Sequence, residues 1–358
     1  MCIRDRIITP QILLVAFRKR LFDSVGGRKT HSGIVPRLGG VVFVPVQCFL
    51  LVLSMFFMYK LEITSHLQDP FIPFQFLLLM IGLLILNMVG VIDDLIRINY
   101  RRKFVAQIVA SSFLPLSGLW INDLYGLLGI TTLSPWIGMP LTVFVAVFII
   151  NAVNLIDGID GLCSGLVGMG ALVFGFLFIY NAAWLHAVFA FITAGVLCPF
   201  FYYNVFGKSK GRQRIFMGDT GSLTLGLSMA FLAISYAMNN PLIKPFSEGA
   251  IVVSFATLIV PLFDVVRVVR IRYFQHKPLF MPDQNHIHHK FLRVGISHYV
   301  AMILILALAL FFSFFNIVAV EYISNNIVIF IDIVLWIAFH LWLDRRELIR
   351  AKHGVANN

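Results

Sequence analysis

Apolar runs of close to twenty residues recur along the whole chain, and this recurrence constrains the fold more than any other feature. A helix of about 20 apolar residues satisfies its own backbone hydrogen bonds inside a bilayer, so repeated runs of this length predict a helical bundle rather than a barrel. The runs fall near residues 7–17, 41–59, 74–92, 104–120, 137–156, 165–181, 183–203, 219–238, 249–268, 300–320 and 325–343. The expected fold is all-α: a polytopic integral membrane protein of about eleven transmembrane helices. Composition agrees, with 59% hydrophobic residues, 13% charged residues and a mean hydropathy of +0.89. A soluble chain carries about 25% charged residues. The first run follows MCIRDR and covers only half a span, so the first helix is expected to be truncated at its N-terminus.

The loops between these runs alternate in charge. Loops 18–40, 93–103, 157–164, 204–218, 267–299 and 344–358 hold 24 of the 28 Lys and Arg residues. The opposite loops hold Lys60 and Lys244, with Arg4 and Arg6 in the short leader. A net charge of +11 could suggest nucleic acid, but in a membrane protein it reads as the positive-inside bias. The expected topology places the N-terminus outside and the C-terminus in the cytoplasm, with no nucleic-acid partner. The four cysteines show neither metal nor disulfide spacing. No cleavable signal peptide, low-complexity segment or clear internal repeat stands out, so residues 1–358 read as a single transmembrane domain. Its first five basic-side loops, from 18–40 to 267–299, are expected to form one site.

Five polar clusters fall on that side. Arg28 to His31 and Pro36 to Gly40 precede the second span; a basic loop with a turn is the plainer reading there. Asp93 and Asp94 end the third span, where adjacent carboxylates repel and are costly unless a cation or proton compensates. Arg101, Arg102 and Lys103 follow and could hold phosphate oxygens. Asn151 to Gly165, NAVNLIDGIDGLCSG, supplies Asn151, Asn154, Asp157 and Asp160, oxygen donors suited to a hard cation. FMGDTGS at 216–222 puts Asp219 at a helix start, as an N-cap or beside an anion-binding N-terminus, and Asn204 begins the loop before it. Asp283 to His289 contains His286, His288 and His289, without the partners that complete a zinc pattern; Asp264 and Arg267, Arg270 and Arg272 lead into it. Carboxylates, carboxamides, histidines and cations on one membrane face suit Mg²⁺ and a phosphorylated substrate, with a lipid as second substrate.

VIDD at 91–94, NAVNLIDGIDGL at 151–162, FMGDTGS at 216–222 and HIHH at 286–289 resemble, in order and spacing, the polyprenyl-phosphate N-acetylhexosamine-1-phosphate transferases. The resemblance covers nearly the whole chain, and its HIHH form is similar to the bacterial O-antigen, enterobacterial common antigen and teichoic acid initiators. It implies a bacterial inner-membrane enzyme facing the cytoplasm. Such an enzyme passes sugar-1-phosphate from a UDP-N-acetylhexosamine, by default UDP-GlcNAc, to undecaprenyl phosphate and releases UMP. It also implies Mg²⁺, with Mn²⁺ as a substitute, and leaves a homodimer open. By the same resemblance Asp219 and Asn154 would hold the metal and Lys103 the phosphates. Asp93, supported by Asp94, would orient or deprotonate the lipid phosphate. Asp157, Asp160 and Asn204 would lie near the nucleoside, and His286, His288 and His289 near the diphosphate or sugar.

The acceptor phosphate is already an anion, which favours a single in-line displacement over a covalent aspartyl intermediate. A cation or proton-coupled transporter is the alternative from another class. It would place its charges near the bilayer midplane, often in repeated halves. A scaffold that binds lipid headgroups would need the basic loops but not the aspartates.

Overall fold

The computed structural model of the chain describes residues 38–61, 71–207, 215–276 and 285–355. A 3-10 turn, Leu38–Val42, leads into α1 (Phe43–Lys60), α2 (Phe71–Ile96) and α3 (Tyr100–Leu116). Strands β1 (Asp123–Leu127) and β2 (Ile130–Thr132) follow, then α4 (Pro135–Ile156), α5 (Leu162–Tyr180), α6 (Trp184–Phe206) and α7 (Gly218–Ala237). The chain closes with α8 (Ala250–Ala256), α9 (Ile259–Phe274), α10 (Ile287–Arg293), α11 (His298–Ala319) and α12 (Asn325–Val355).

Eight of the described helices are long and apolar enough to cross a membrane, and the bent pair α8–α9 makes a ninth if it counts as one span. Of the eleven expected spans two are corrected and one is not described. The run at 7–17 lies outside the described residues. The run at 104–120 is displaced to α3, which starts at Tyr100 under an Asn99 cap and ends at Leu116. Its last residues form a turn instead, with Gly118 at φ +82°. The run at 249–268 bends by 80° between α8 and α9. Pro261 lies in the first turn of α9; it has no N–H to give Thr257, and this missing bond favours a break there.

The antiparallel β1–β2 hairpin qualifies the all-α expectation. Leu128 and Gly129, both at positive φ, turn it. It sits over one end of the bundle: Tyr125 Oη donates to the Ala237 carbonyl at 2.9 Å, and Asn325 Nδ2 donates to the Tyr125 carbonyl at 3.0 Å.

α7 is the central pillar, with its whole apolar window buried, against 28% for α12 at the periphery. Lipid tails provide no hydrophobic drive between helices, so close backbone packing and internal polar contacts must hold them. The sequence of α7 supplies both. Thr224 and Ser228 donate to the carbonyls of Thr220 and Thr224, at 2.8 and 3.1 Å, so their hydroxyls stay satisfied inside the helix. Gln47 of α1 donates to Thr193 of α6 at 3.0 Å and to Ser228 at 3.4 Å. A side-chain carbon at Gly226 would lie 2.6 Å from Ile150 Cα, and one at Gly90 would overlap Thr220 Cα. The Gly90 approach matters most: it brings the end of α2 onto the start of α7.

Candidate active site

Because α2 packs so closely on α7, the aspartate pair at the end of α2 reaches the N-terminus of α7. The two aspartates then diverge. Asp94 faces the helix start, and its Oδ1 accepts from Asp219 N at 2.9 Å. Its Oδ2 accepts from Thr220 N at 3.0 Å and Thr220 Oγ1 at 2.6 Å. The N-cap role expected of Asp219 as one option thus falls to Asp94, from a different helix. Asp219 is freed to turn the other way.

Asp93 is buried and accepts from Ile98 N at 2.8 Å. Its Oδ2 lies 2.6 Å from Lys103 Nζ, which also meets Asp219 Oδ2 at 2.9 Å. One ammonium therefore joins two carboxylates from two helices. Asn154, in the last turns of α4, donates through Nδ2 to Asp219 Oδ1 at 2.7 Å and to Ser222 Oγ at 2.8 Å. The Asp219 side chain remains 34% exposed and that of Lys103 19%, so the cluster opens to the outside. Among the described residues no group of three or more His, Cys, Asp or Glu side chains is arranged to hold a metal. The two carboxylates and the Asn154 amide form a small set of hard oxygen donors instead.

The loop after α4 borders this opening. Asp157 is water-accessible yet crowded by protein on most sides. That crowding, with the charges of Asp219 and Asp94, raises its carboxyl to about 7. Asp160 is half-buried. Asn204 is buried, and its amide is engaged with protein: Oδ1 accepts from Gly161 N at 2.6 Å, while Nδ2 donates to Ile215 O at 2.8 Å and Asp160 Oδ1 at 3.4 Å. It ties the loop to the segment that enters α7. Asn151 is directed elsewhere, to Gln107 of α3 at 2.7 Å, as a clamp between two helices.

The histidine tract splits in the same way. His286 Nδ1 lies 2.8 Å from Asp264 Oδ2, and Ile287 N donates to Asp264 Oδ1 at 3.0 Å. Arg267 donates to Asp264 at 2.9 Å and to the Asn285 carbonyl. These bonds fix the start of α10 on α9. His288 then reaches the loop after α4, where a side-chain carbon at Gly158 would overlap its Nε2. Among the described residues neither ring nitrogen of His288 has a partner. Burial, with His289 and His286 nearby, lowers its pKa to about 3 and keeps it neutral. His289 is half-buried beside it, with ring centroids 4.2 Å apart. Lys290 and Arg293 pair with Asp344 and Glu347 of α12 at 2.5 and 2.7 Å.

The structure thus brings together Asp93, Lys103, Asn154 and Asp219, with Asp94 behind them and Asp157 at the rim. His288 and His289 reach the same loop; His286 and Asn204 brace from outside. Four residues to which sequence reasoning gave no role in the site support the cluster and its histidine tract. Thr220 and Ser222 lie inside FMGDTGS and could have been found there. Asp264, a carboxylate in the apolar run IVPLFDVV, signals a buried ion pair, and Arg267 three residues on is its helix-spaced partner. Of the Pro36–Gly40 cluster, Leu38, Gly39 and Gly40 are described: the N–H groups of the two glycines donate to the Phe216 and Met217 carbonyls, both at 3.0 Å. The earlier residues of that cluster, with Asp283 and Gln284, lie outside the described residues.

A polytopic helical membrane protein with acidic, amide and basic side chains gathered at one end of the bundle is the class that fold and site define. The profile of glycosyl transferase family 4 matches residues 76–237, which contain Asp93, Lys103, Asn154 and Asp219. The chain is 29% identical over 310 residues to the probable undecaprenyl-phosphate N-acetylglucosaminyl 1-phosphate transferase of Bacillus subtilis, covering 86% of this chain and 79% of that protein. It is 28% identical over 357 residues to the undecaprenyl-phosphate alpha-N-acetylglucosaminyl 1-phosphate transferase of Escherichia coli K12, covering 96% and 90%. The chain thus resembles glycosyl transferase family 4 across its central region and these transferases over most of its length. The transporter reading finds no support: the charges gather at one end, and these relatives are named as transferases.

Proposed function

We propose that this protein transfers N-acetylhexosamine-1-phosphate from a UDP-N-acetylhexosamine, by default UDP-GlcNAc, to undecaprenyl phosphate, releasing UMP and initiating a cell-surface polysaccharide. The observation that carries this reading is the Lys103 ammonium shared by Asp93 and Asp219, with Asn154 alongside, at the open end of an apolar bundle. Such an end meets both a soluble nucleotide sugar and a lipid phosphate at the membrane surface. We place the protein in the bacterial inner membrane with this end in the cytoplasm, the reading the Lys and Arg bias supports.

The donor set fits Mg²⁺, which takes one or two carboxylates and completes its shell with water and substrate phosphate oxygens. Asp219 and Asn154 would hold it, and when bound it supplies charge neutralisation at the diphosphate. Asn154 now presents its amide nitrogen to Asp219; a half-turn of the amide offers the oxygen a cation requires. Lys103 neutralises phosphate oxygens. Asp93, fixed by Ile98 N and Lys103, orients the acceptor. Asp94 holds the start of α7, and so Asp219, in place. Asp157 and Asp160 border the nucleoside, with Asn204 bracing their loop, and His288 and His289 face the diphosphate or sugar.

In the reaction a phosphate oxygen of the lipid forms a bond to the sugar-bearing phosphorus. The bond from that phosphorus to the bridging oxygen breaks, and UMP leaves with the electron pair. The acceptor is itself a competent nucleophile, so one displacement suffices. Purified protein in detergent, given Mg²⁺, undecaprenyl phosphate and a panel of UDP-N-acetylhexosamines, should release UMP with at least one of them. No release with any would overturn the function. Labelled phospho-sugar trapped on the protein without lipid would overturn the single displacement alone.

A further inference from the structure

The other end of the bundle holds a charged feature that sugar transfer does not use. Between the start of α6 and the segment joining α7 to α8 lies a cavity of 210 Å³, room for about seven waters at about 30 Å³ each. Ile72, near the start of α2, is part of its wall. At 1.5 Å per residue along α2, that wall is about 30 Å from Asp93.

Three features of the lining favour an anion. Lys244 is 2% exposed and has no carboxylate partner among the described residues. Among the described residues its Nζ meets only the adjacent Pro245 carbonyl, at 3.4 Å, and stands 5.1 Å from the centre of the Tyr236 ring. α6 begins at Trp184 with no side-chain cap, which leaves the positive end of its dipole in the wall. His186, 1% exposed, also lines the cavity, and its Nε2 has no partner among the described residues. Among the described residues no Asp or Glu belongs to the lining. An ammonium is costly in such surroundings without a counter-charge. Burial lowers the Lys244 pKa only to about 8, so the amine is still cationic at neutral pH.

We propose that this cavity binds a phosphate-type oxyanion, with Lys244 as its counter-charge and the start of α6 as its second donor. The shared chemistry is a phosphate; its source is a phospholipid headgroup or the free ion. Tyr180, 89% exposed, and Trp184, 43% exposed, flank the site and are residues of the kind that line membrane interfaces, so a lipid phosphate is within reach.

The test uses delipidated full-length protein in a neutral detergent. One arm is titrated with inorganic phosphate, another with short-chain phosphatidylglycerol, and a control with the matching diacylglycerol. Tryptophan fluorescence and melting temperature are followed in each. The expected result is a saturable shift in at least one phosphate arm and none with diacylglycerol. Lys244→Met should weaken it at least tenfold and Lys244→Arg should retain it, with UMP release unchanged in both. If the Met variant does not fold, Lys244→Gln is read the same way. Saturation by phosphatidylglycerol alone identifies a lipid site, and saturation by phosphate a soluble one. No saturable shift in either arm, or an equal shift without the lysine charge, overturns the proposal.

Discussion

Asp264 and Asp219 are both helical aspartates beside a basic residue, and their surroundings differ. Asp264 is fully buried, and its two oxygens receive Arg267, Ile287 N and His286. Asp219 receives Lys103 and Asn154, but its side chain stays about one-third open, and the two groups it holds can both turn to a phosphate. A closed ion cluster braces; an open one with exchangeable partners can act on a ligand. Residue type does not separate the two, but the number of partners and the access do.

The first way to break that comparison is to neutralise both aspartates and measure activity and stability separately. Asp219→Asn should lower UMP release on the order of 10²–10³-fold, the scale for removing one element of electrostatic stabilisation. Its melting temperature should hold, because an open carboxylate contributes little to folding. Asp264→Asn leaves Arg267 buried without a counter-charge, which costs about 3–5 kcal/mol. Its thermal unfolding should move sharply down, and activity should follow the loss of the histidine tract. If Asp219→Asn melts early and keeps its activity, the roles assigned to the two clusters are reversed.

Much of this was legible in the sequence. The apolar runs placed ten spans within the described residues, and a described helix or helix pair lies under each. What failed did so for local reasons: the bond missing at Pro261 favours a break of one run into two helices, and Ser117–Trp120 are apolar enough to extend α3 on paper but fold as a turn. The motifs named segments that the fold brings to one end of the bundle, because carboxylates and amides at the ends of apolar runs are too costly to be accidental there. They did not tell which member of each motif would face the opening. Asp93 and Asp94 are adjacent in sequence, and only the close approach at Gly90 decides that Asp94 caps α7 while Asp93 meets Lys103. Asn204 and His286 likewise look like ligand residues until their partners across the fold are known. The β1–β2 hairpin was missed because its few residues sit between two spans and carry no run long enough to register.

The smallest expected effect sharpens the comparison at its edge, on Asp157. Its carboxyl titrates near 3.8 without the fold and at about 7 within it, raised by crowding and then by Asp219 and Asp94. Between those values the folded protein keeps a proton that the unfolded chain has released. Stability from this group is therefore fully present below the lower value and is lost as pH rises through the upper one. Relative to Asp157→Asn, the wild-type melting temperature should fall between about pH 4 and about pH 8 and then run parallel. Because the carboxylate is water-accessible, the divergence should be modest. Mg²⁺ with UDP-sugar should shrink it, since a bound cation offsets the neighbouring negative charges that raise the pKa. Curves that stay parallel across the whole range would mean that Asp157 is ionised throughout. Asp157 would then belong with the open, charged partners of Asp219 rather than at the uncharged rim of the site.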